Sequence, residues 1–338
     1  MRPPRHIQKA TATVFHCMSR TVAGERLFNA PDKAFFTQRL RKLAKFLHIS
    51  VITNTILDNH FHLLIRTPPK VQLSDQQLFN HLKAFYGPNA IPTCQFRAAI
   101  NSGKNLQPLR SRYLKRMGDL SVFMKELKES FSKYFNHTHQ RFGTLWAERF
   151  KSLTVQDVVG LLYFLAAYID LNAFRAGLTQ DPKDYPFCGY AAALARDGPE
   201  RKGLCSFLQG KNWEEKLASY RKYLYGTAER PSRPKQKPMS LEEVQKVIAQ
   251  GGQIPPFELL KFKVKYFTQA IALGTKEFLN QLRKEVASRK KKKSATDQTK
   301  ESKKKGKTKN ATKVHALPKA IGTGLAAMKK IKCPLKDP

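Results

Sequence analysis

Apolar and polar positions change period several times over the first 70 residues, and each period predicts an element. Thr11 to Met18 alternates and is rich in β-branched and aromatic residues, which predicts a first strand. Asn29 to Asp32 is a typical helix entry, and apolar residues then recur every three or four positions. Ile49 to Leu57 and His60 to Arg66 are apolar runs separated only by Asp58-Asn59, which predicts an antiparallel hairpin. This β-α-β-β order predicts an α+β fold, the opening half of a ferredoxin-like α/β sandwich with an antiparallel sheet.

The pattern after residue 70 is irregular at first and then becomes regular again. Residues 70–118 mix Pro, Gly, Asn and Ser with basic residues, and they predict an insertion with little regular structure. Helical spacing returns over Leu120 to Tyr134, and Phe142 to Val155 predicts a turn followed by a strand. Gln156 to Asn172 predicts a strongly apolar helix, with Gly177 at a C-cap position.

Composition shifts divide the chain into four segments. We expect a globular domain over residues 1–228, a Pro- and Lys-rich linker over 229–239, a helical region over 240–288, and a disordered basic tail over 289–338. The helical region predicts two helices on either side of Gly274, the first from Phe257 to Leu273 and the second from Thr275 to Ser288. Their spacing is that of a helix-turn-helix, although many unrelated helical pairs share it. The second helix would turn these side chains to a DNA groove: Lys276, Gln281, Arg283 and Lys284.

The charge of the chain favours a polyanionic partner. With a net charge of +37 at 338 residues, nucleic acid is the expected partner and an anionic membrane surface the weaker alternative. We expect no membrane association, because no run of about 20 apolar residues is present and the first residues lack a secretory signal. The five cysteines are scattered without a Cys-x-x-Cys pair, which argues against disulfides and a zinc site and predicts a cytoplasmic protein.

The segment Asn59-His60-Phe61-His62 holds the most distinctive pair of polar side chains. Residues i and i+2 of a strand point to the same face, so His60 and His62 project together while Phe61 faces a core. Two imidazoles side by side can hold a transition metal or a similar divalent ion. The alternative is a pair of polar residues on a solvated face, which is the commoner meaning of an isolated His-x-His.

A second candidate lies near the end of the apolar helix, at Tyr168 and Asn172. These residues are four apart and share one helix face. A phenol with a pKa of ~10 is a poor nucleophile, but a nearby metal that polarises a phosphate compensates for that. The alternative is a core tyrosine with a hydrogen-bonded hydroxyl.

Taken together, these two motifs resemble those of the single-tyrosine HUH transposases, in particular the REP-associated tyrosine transposases. The resemblance covers roughly residues 8–195, interrupted by the insertion, and its motifs occur in the family's order. Besides His60 to Ile65 and Tyr168 to Leu178, the matching segments are Phe15-His16-Cys17-Met18-Ser19-Arg20, Gly143 to Phe150 and Asp184-Tyr-Pro-Phe187.

The resemblance implies a function and assigns roles. His60 and His62 would hold Mg²⁺ or Mn²⁺ and Asn172 would be a third ligand, while Tyr168 would attack single-stranded, hairpin-containing DNA and form a 5′-phosphotyrosine that preserves the bond for rejoining. Such an enzyme would be associated with the nucleoid, as a monomer or a homodimer. One departure is that Asn172-Ala-Phe-Arg replaces the family's Asn-Pro-Val-Arg, so the helix that carries Tyr168 need not break at the family's position.

Several further side chains are candidates for DNA contacts. Trp146 could stack on an unpaired base or could pack in the core, and the two alternatives remain open. The cations that could neutralise phosphates are Arg20, Arg141, Arg149 and Arg175.

Two other functions remain as alternatives. A nucleic-acid-binding protein derived from a transposase would have stopped cutting DNA, although Tyr168 and the His pair are intact. A metal-dependent phosphodiesterase would use the His pair without a covalent step, and its activity would survive Tyr168→Phe.

Overall fold

The computed structural model describes residues 11–69, 71–103, 105–228, 272–275, 277–285 and 287–288. Its described strands form one five-stranded sheet in the order β2-β3-β1-β4-β5. All neighbouring pairs are antiparallel except β4 and β5, which run parallel. The strands are β1 (Thr13–Arg20), β2 (Ser50–Ile56), β3 (His60–Thr67), β4 (Lys151–Val155) and β5 (Ala272–Leu273).

Ten α-helices with defined bounds surround this sheet in the described part of the chain. They are α1 (Ala30–Phe46), α2 (Asp75–Tyr86), α3 (Ile91–Asn101), α4 (Gln107–Leu114), α5 (Leu120–Thr138), α6 (Val159–Asp170), α7 (Asn172–Arg175), α8 (Gly189–Ala195), α9 (Pro199–Cys205) and α10 (Trp213–Ala228). Residues 277–285 and 287–288 are also helical. The predicted mixture of helices with a mostly antiparallel sheet is confirmed, as is the β-α-β-β order of the first 70 residues.

Alternation along β1 and β3 gives the sheet two different faces. Phe15 and Phe61 lie on one face, in the apolar core that α1 and α5 complete. His16 and His62 lie on the opposite face, which is covered by α6. Helix α1 begins at the predicted entry, where Asn29 and Asp32 form a capping box and so satisfy two backbone N–H groups.

The insertion at residues 70–118 is more regular than its composition predicts. It contains α2, α3 and α4, and Leu78, Leu82 and Phe96 are fully buried in the core shared with α1 and α5. A capping box formed by Ser74 and Gln77 starts α2. The insertion is therefore an integral part of the core.

The structure corrects the predicted helix over Phe257 to Leu273 at its end. Ala272 and Leu273 form a strand that pairs in parallel with Thr154 and Val155 of β4, so the predicted first helix does not include these two residues, and the rest of it lies outside the described residues. Thr275 caps the following helix, because its Oγ1 accepts a hydrogen bond from the backbone N–H of Phe278 at 3.1 Å.

Several of the segments predicted from the sequence lie wholly or partly outside the described residues. The linker at 229–239, residues 240–271, Lys276 and the tail at 289–338 lie outside the described residues. In the described part of the chain no helix is both long and apolar enough to cross a membrane. The described cysteines carry free thiols, namely Cys17, Cys94, Cys188 and Cys205.

Candidate active site

Three aromatic side chains meet between the sheet and α6. The Tyr168 ring centroid lies 5.8 Å from that of His62 and 6.0 Å from that of His16. The two imidazoles stack with centroids 5.1 Å apart and share a hydrogen bond of 2.9 Å between His16 Nε2 and His62 Nδ1. The sequence predicts the proximity of Tyr168 and His62, and the structure brings them together.

His62 is held in a dry environment as a neutral imidazole. His62 is 2% exposed. Burial is the main reason that the pKa of its imidazole lies well below the ordinary value, and the charges of His16, His60 and Arg20 lower it further. Burial likewise lowers the pKa of His16 to about 4. Both rings are therefore neutral near pH 7, and a neutral imidazole is the form that binds a metal.

The hydrogen bond between His16 and His62 determines which nitrogen of His62 can bind an ion. If His62 Nδ1 donates to His16 Nε2, the lone pair of His62 is on Nε2 and can ligate. With the opposite tautomer, His62 Nε2 carries a proton and cannot ligate. A partner that fixes the tautomer of a ligating histidine is a common feature of metal sites, and His16 is placed to act in this way.

His60 has a matching partner at the beginning of β3. Its Nδ1 lies 2.6 Å from Asn59 Oδ1, and an amide oxygen only accepts, so Nδ1 carries the proton and the lone pair is on Nε2. Asn59 Nδ2 donates in turn to the Gly24 carbonyl at 2.7 Å. The His60 and His62 rings lie 5.1 Å apart, edge to face.

The donor set fits an ion held partly by substrate. Within the described residues no group of three His, Cys, Asp or Glu side chains is arranged to hold a metal. The two imidazoles of His60 and His62 are suitable donors, and phosphate oxygens would have to supply further ligands. The predicted third ligand, Asn172, folds back on its own helix and donates from Nδ2 to the Tyr168 carbonyl at 2.8 Å.

Arg175 lies near Tyr168 in an unusual state. Its Nε and Nη2 atoms are buried and have no hydrogen-bond partner among the described residues. Burial lowers its pKa to about 10, and the electrostatic interaction with Tyr168 opposes that shift. Since a buried cation without a partner is costly, this guanidinium is suited to receive an anion.

The remaining predicted DNA contacts differ in their placement. Arg20 is exposed and pairs across the sheet with His60, while Arg141 Nη2 lies 3.5 Å from Glu25 Oε2. Arg149 is exposed. The C-terminal candidates that lie on the described helix are also exposed, namely Gln281, Arg283 and Lys284.

Trp146 packs in the core, which decides between its two alternatives. It is 9% exposed, its ring contacts Phe28 and Phe61, and its Nε1 donates to the Lys128 carbonyl. Lys128 Nζ lies 5.1 Å from the centroid of the Trp146 ring, and these surroundings favour the core alternative over base stacking.

Sequence reasoning missed His16 as a part of the site. The signal was available, because His16 occupies the same face of β1 as Arg20, and pairing of β1 with β3 brings that face beside His62. Without the pairing of the two strands, a single histidine in a strand had no visible partner.

Comparison with known proteins gives limited information. No family model and no curated protein matches the chain. Among solved structures, the chain is similar to one described as "Structure of the REP associates tyrosine transposase bound to a REP hairpin", with 13% identity and a TM-score of 0.37 over 59% of this chain and 90% of that one. At this TM-score the similarity is distant, and it assigns no activity to this chain.

Proposed function

We propose that this protein is a metal-dependent transposase-type enzyme that cleaves and rejoins single-stranded DNA through a covalent bond between Tyr168 and a 5′ phosphate. The observation that carries the proposal is the meeting of Tyr168 with the buried, neutral His16–His62 pair, its rings 5.8 and 6.0 Å away. Arg175, whose Nε and Nη2 atoms are buried without a described hydrogen-bond partner, interacts electrostatically with the same tyrosine. A structural core tyrosine would need neither neighbour.

The proposed catalytic domain comprises residues 1–228 and has a ferredoxin-like sheet. Support comes from the strand order β2-β3-β1-β4, in which α1 follows β1, and α5 precedes β4. This is the β-α-β-β-α-β arrangement, extended by α2 to α4. It places His60 and His62 on a rigid strand in the interior of the sheet.

The residues that would hold the divalent ion, Mg²⁺ or Mn²⁺, are His60 and His62, with Asn172 as a third ligand after a change of its side-chain rotamer. When bound, the ion would make the scissile phosphorus more electrophilic. Asn59 and His16 would keep the two imidazoles in the tautomers that ligate, through hydrogen bonds of 2.6 and 2.9 Å.

In the proposed step, Tyr168 Oη attacks the phosphorus of a phosphodiester. The Oη–P bond forms as the P–O3′ bond breaks, the phenol loses its proton to solvent, and the departing 3′ oxygen takes up a proton. The product is a 5′-phosphotyrosine and a 3′-hydroxyl, which can reverse the step on another strand. Arg175 would bind a non-bridging phosphate oxygen, because its Nε and Nη2 atoms have no described partner.

A covalent-adduct assay tests the proposal. Labelled single-stranded hairpin DNA from the flanks of the gene is incubated with the full chain and Mn²⁺, then separated on a denaturing gel. We expect a shifted band that disappears with chelator and in Tyr168→Phe. The matched control is Tyr163→Phe on the same helix, whose hydroxyl bonds to Ser219 Oγ and whose loss should leave the band.

Each alternative function gives a different result. Cleavage without an adduct, unchanged in Tyr168→Phe, would replace the proposal with a metal-dependent phosphodiesterase. Salt-sensitive binding with neither cleavage nor adduct across several flanking oligonucleotides would indicate a binding protein derived from a transposase.

A further inference from the structure

The side chain of Phe142 is almost fully surrounded by solvent. At 94% exposure it is the most exposed large apolar side chain among the described residues. Burying a phenylalanine contributes about 1.5–3 kcal/mol, and Leu145 and Trp146, shortly after Phe142 in the chain, are buried in the core with Phe28 and Phe131. Single exposed apolar residues also occur without a function. A role for Phe142 therefore has to be argued from the conformation of its loop and from the position of that loop.

The loop that carries Phe142 is clamped on both sides by one residue. The backbone carbonyl of Asn136 accepts a hydrogen bond from the backbone N–H of Arg141 at 2.9 Å, and its side-chain Nδ2 donates to the Gly143 carbonyl at 3.0 Å. Gly143 has a φ of +86°, which favours glycine, so the turn is built into the sequence. The phenyl ring is therefore held out by a defined turn, and little flexibility is lost when it binds a flat group.

The same loop lies beside the candidate active site. The backbone N–H of Ala147 donates to the Arg20 carbonyl, and Arg20 is paired with His60 across the sheet. Arg141, next to Phe142, reaches Glu25, one residue after the Gly24 carbonyl that binds Asn59. Through Glu25 and Gly24, the loop is thus connected to Asn59, the hydrogen-bond partner of His60.

We propose that Phe142 stacks on an unpaired base of the bound DNA strand, next to the phosphate that Tyr168 attacks. This role rests on the single-stranded DNA function proposed above. Every base has a flat π-face, and exposed aromatic rings among cations are a common means of holding single strands. Arg20 and Arg149 are exposed near the same loop and would hold the phosphates on either side of the stacked base.

Binding measured without chemistry tests the inference. Fluorescence anisotropy of a labelled single strand is recorded with full-length Tyr168→Phe protein in chelator, so that no covalent step contributes. Phe142→Ala should weaken binding on the order of 10- to 100-fold, Phe142→Leu should weaken it nearly as much, and Phe142→Trp should retain it. The matched control is Ile91→Ala in α3, which removes a side chain that is 73% exposed and should leave affinity unchanged.

Two further readouts separate stacking from other effects. The loss in Phe142→Ala should be the same factor at low and high salt, because stacking releases no counterions, and a blunt duplex of the same sequence should bind Phe142→Ala and its parent equally. Equal binding by Phe142→Ala and its parent, or full binding by Phe142→Leu, would overturn the inference. If Phe142 governs binding yet wild type forms no adduct, stacking stands and the proposed strand transfer fails.

Discussion

The two faces of the sheet use alternate residues of the same strands for opposite purposes. On one face Phe61 and its neighbours are buried against α1 and α5 in a core of mostly apolar side chains. On the other face His16 and His62 are as deeply buried, yet they are polar and lie beside Tyr168. An imidazole pair in that position contributes less to stability than an apolar pair would, since burial of polar groups is costly.

The burial of two polar rings beside Tyr168, where apolar side chains would be more stable, indicates that the second face is a functional site. Buried polar atoms without described partners occur at His16 Nδ1 on the second face and at Arg175 Nε and Nη2 near it, and also at Thr13 Oγ1 and Ser19 Oγ on the first face. Native proteins satisfy most such atoms, and exceptions are expected at functional sites. Substitutions on each face should therefore have different effects on stability and on adduct formation.

The largest expected effect separates Phe61 from His62. Phe61→Ala should lower the free energy of unfolding by about 3–5 kcal/mol through loss of a buried aromatic ring, and should retain the adduct at a temperature where it is folded. His62→Gln should cost only about 1 kcal/mol through a weaker hydrogen bond, and should lose the adduct. Denaturant unfolding and the gel assay measure the two. Equal destabilisation, or a full adduct with His62→Gln, would show that the faces do not differ as described.

A second expected effect is a pH dependence that His16 contributes. Its pKa falls from 6.5 in the unfolded chain to about 4 when buried, so the unfolded state binds the proton first as pH drops. The stability is fully present above pH 6.5 and is lost as pH falls towards 4, by about 3 kcal/mol. His16→Gln should remove this part of the slope in urea unfolding at several pH values, leaving the part from His62. An unchanged slope would contradict the burial of a neutral His16.

The smallest expected effect is a substitution that raises the free energy of unfolding, whereas most substitutions lower it. Arg175→Met removes a buried cation without a described partner and should raise the free energy of unfolding by about 1 kcal/mol. The same change should slow adduct formation on the order of tenfold or more, because a charge-assisted hydrogen bond to phosphate is lost. Thermal unfolding and the rate of adduct formation give both values. Lower stability together with a normal rate would show that Arg175 is structural.

Local pattern was sufficient for the first half of the fold, whereas the shared site of His62 and Tyr168 was implied by the resemblance to the single-tyrosine HUH transposases. Alternation fixes the faces of a strand, so the side on which His60 and His62 lie followed from Phe61 alone. The partners that sequence reasoning missed are long-range: His16 is 46 positions from His62, and β5 pairs with Thr154 and Val155. No local periodicity carries such contacts.

Composition also misled in identifiable ways. Pro, Gly and Asn in residues 70–118 cap and separate three helices, where we expected them to prevent helices. Trp146 and Phe142 lie in one segment with similar flanking cations, yet only the first is covered by other rings. Phe142 lies next to Gly143, whose carbonyl accepts a hydrogen bond from Asn136 Nδ2, and the local pattern does not reveal this contact.

The most direct test of the central claim is to identify the residue that carries DNA after reaction. The chain has 11 tyrosines, so a gel shift alone does not name one. Protein treated with single-stranded hairpin DNA and Mn²⁺ is digested with nuclease and trypsin, and the nucleotide-bearing peptide is sequenced by mass spectrometry. We expect a nucleotide on Tyr168 of the wild-type chain and none in His62→Gln. A nucleotide on another tyrosine, or no modified peptide while DNA is cut, would contradict it.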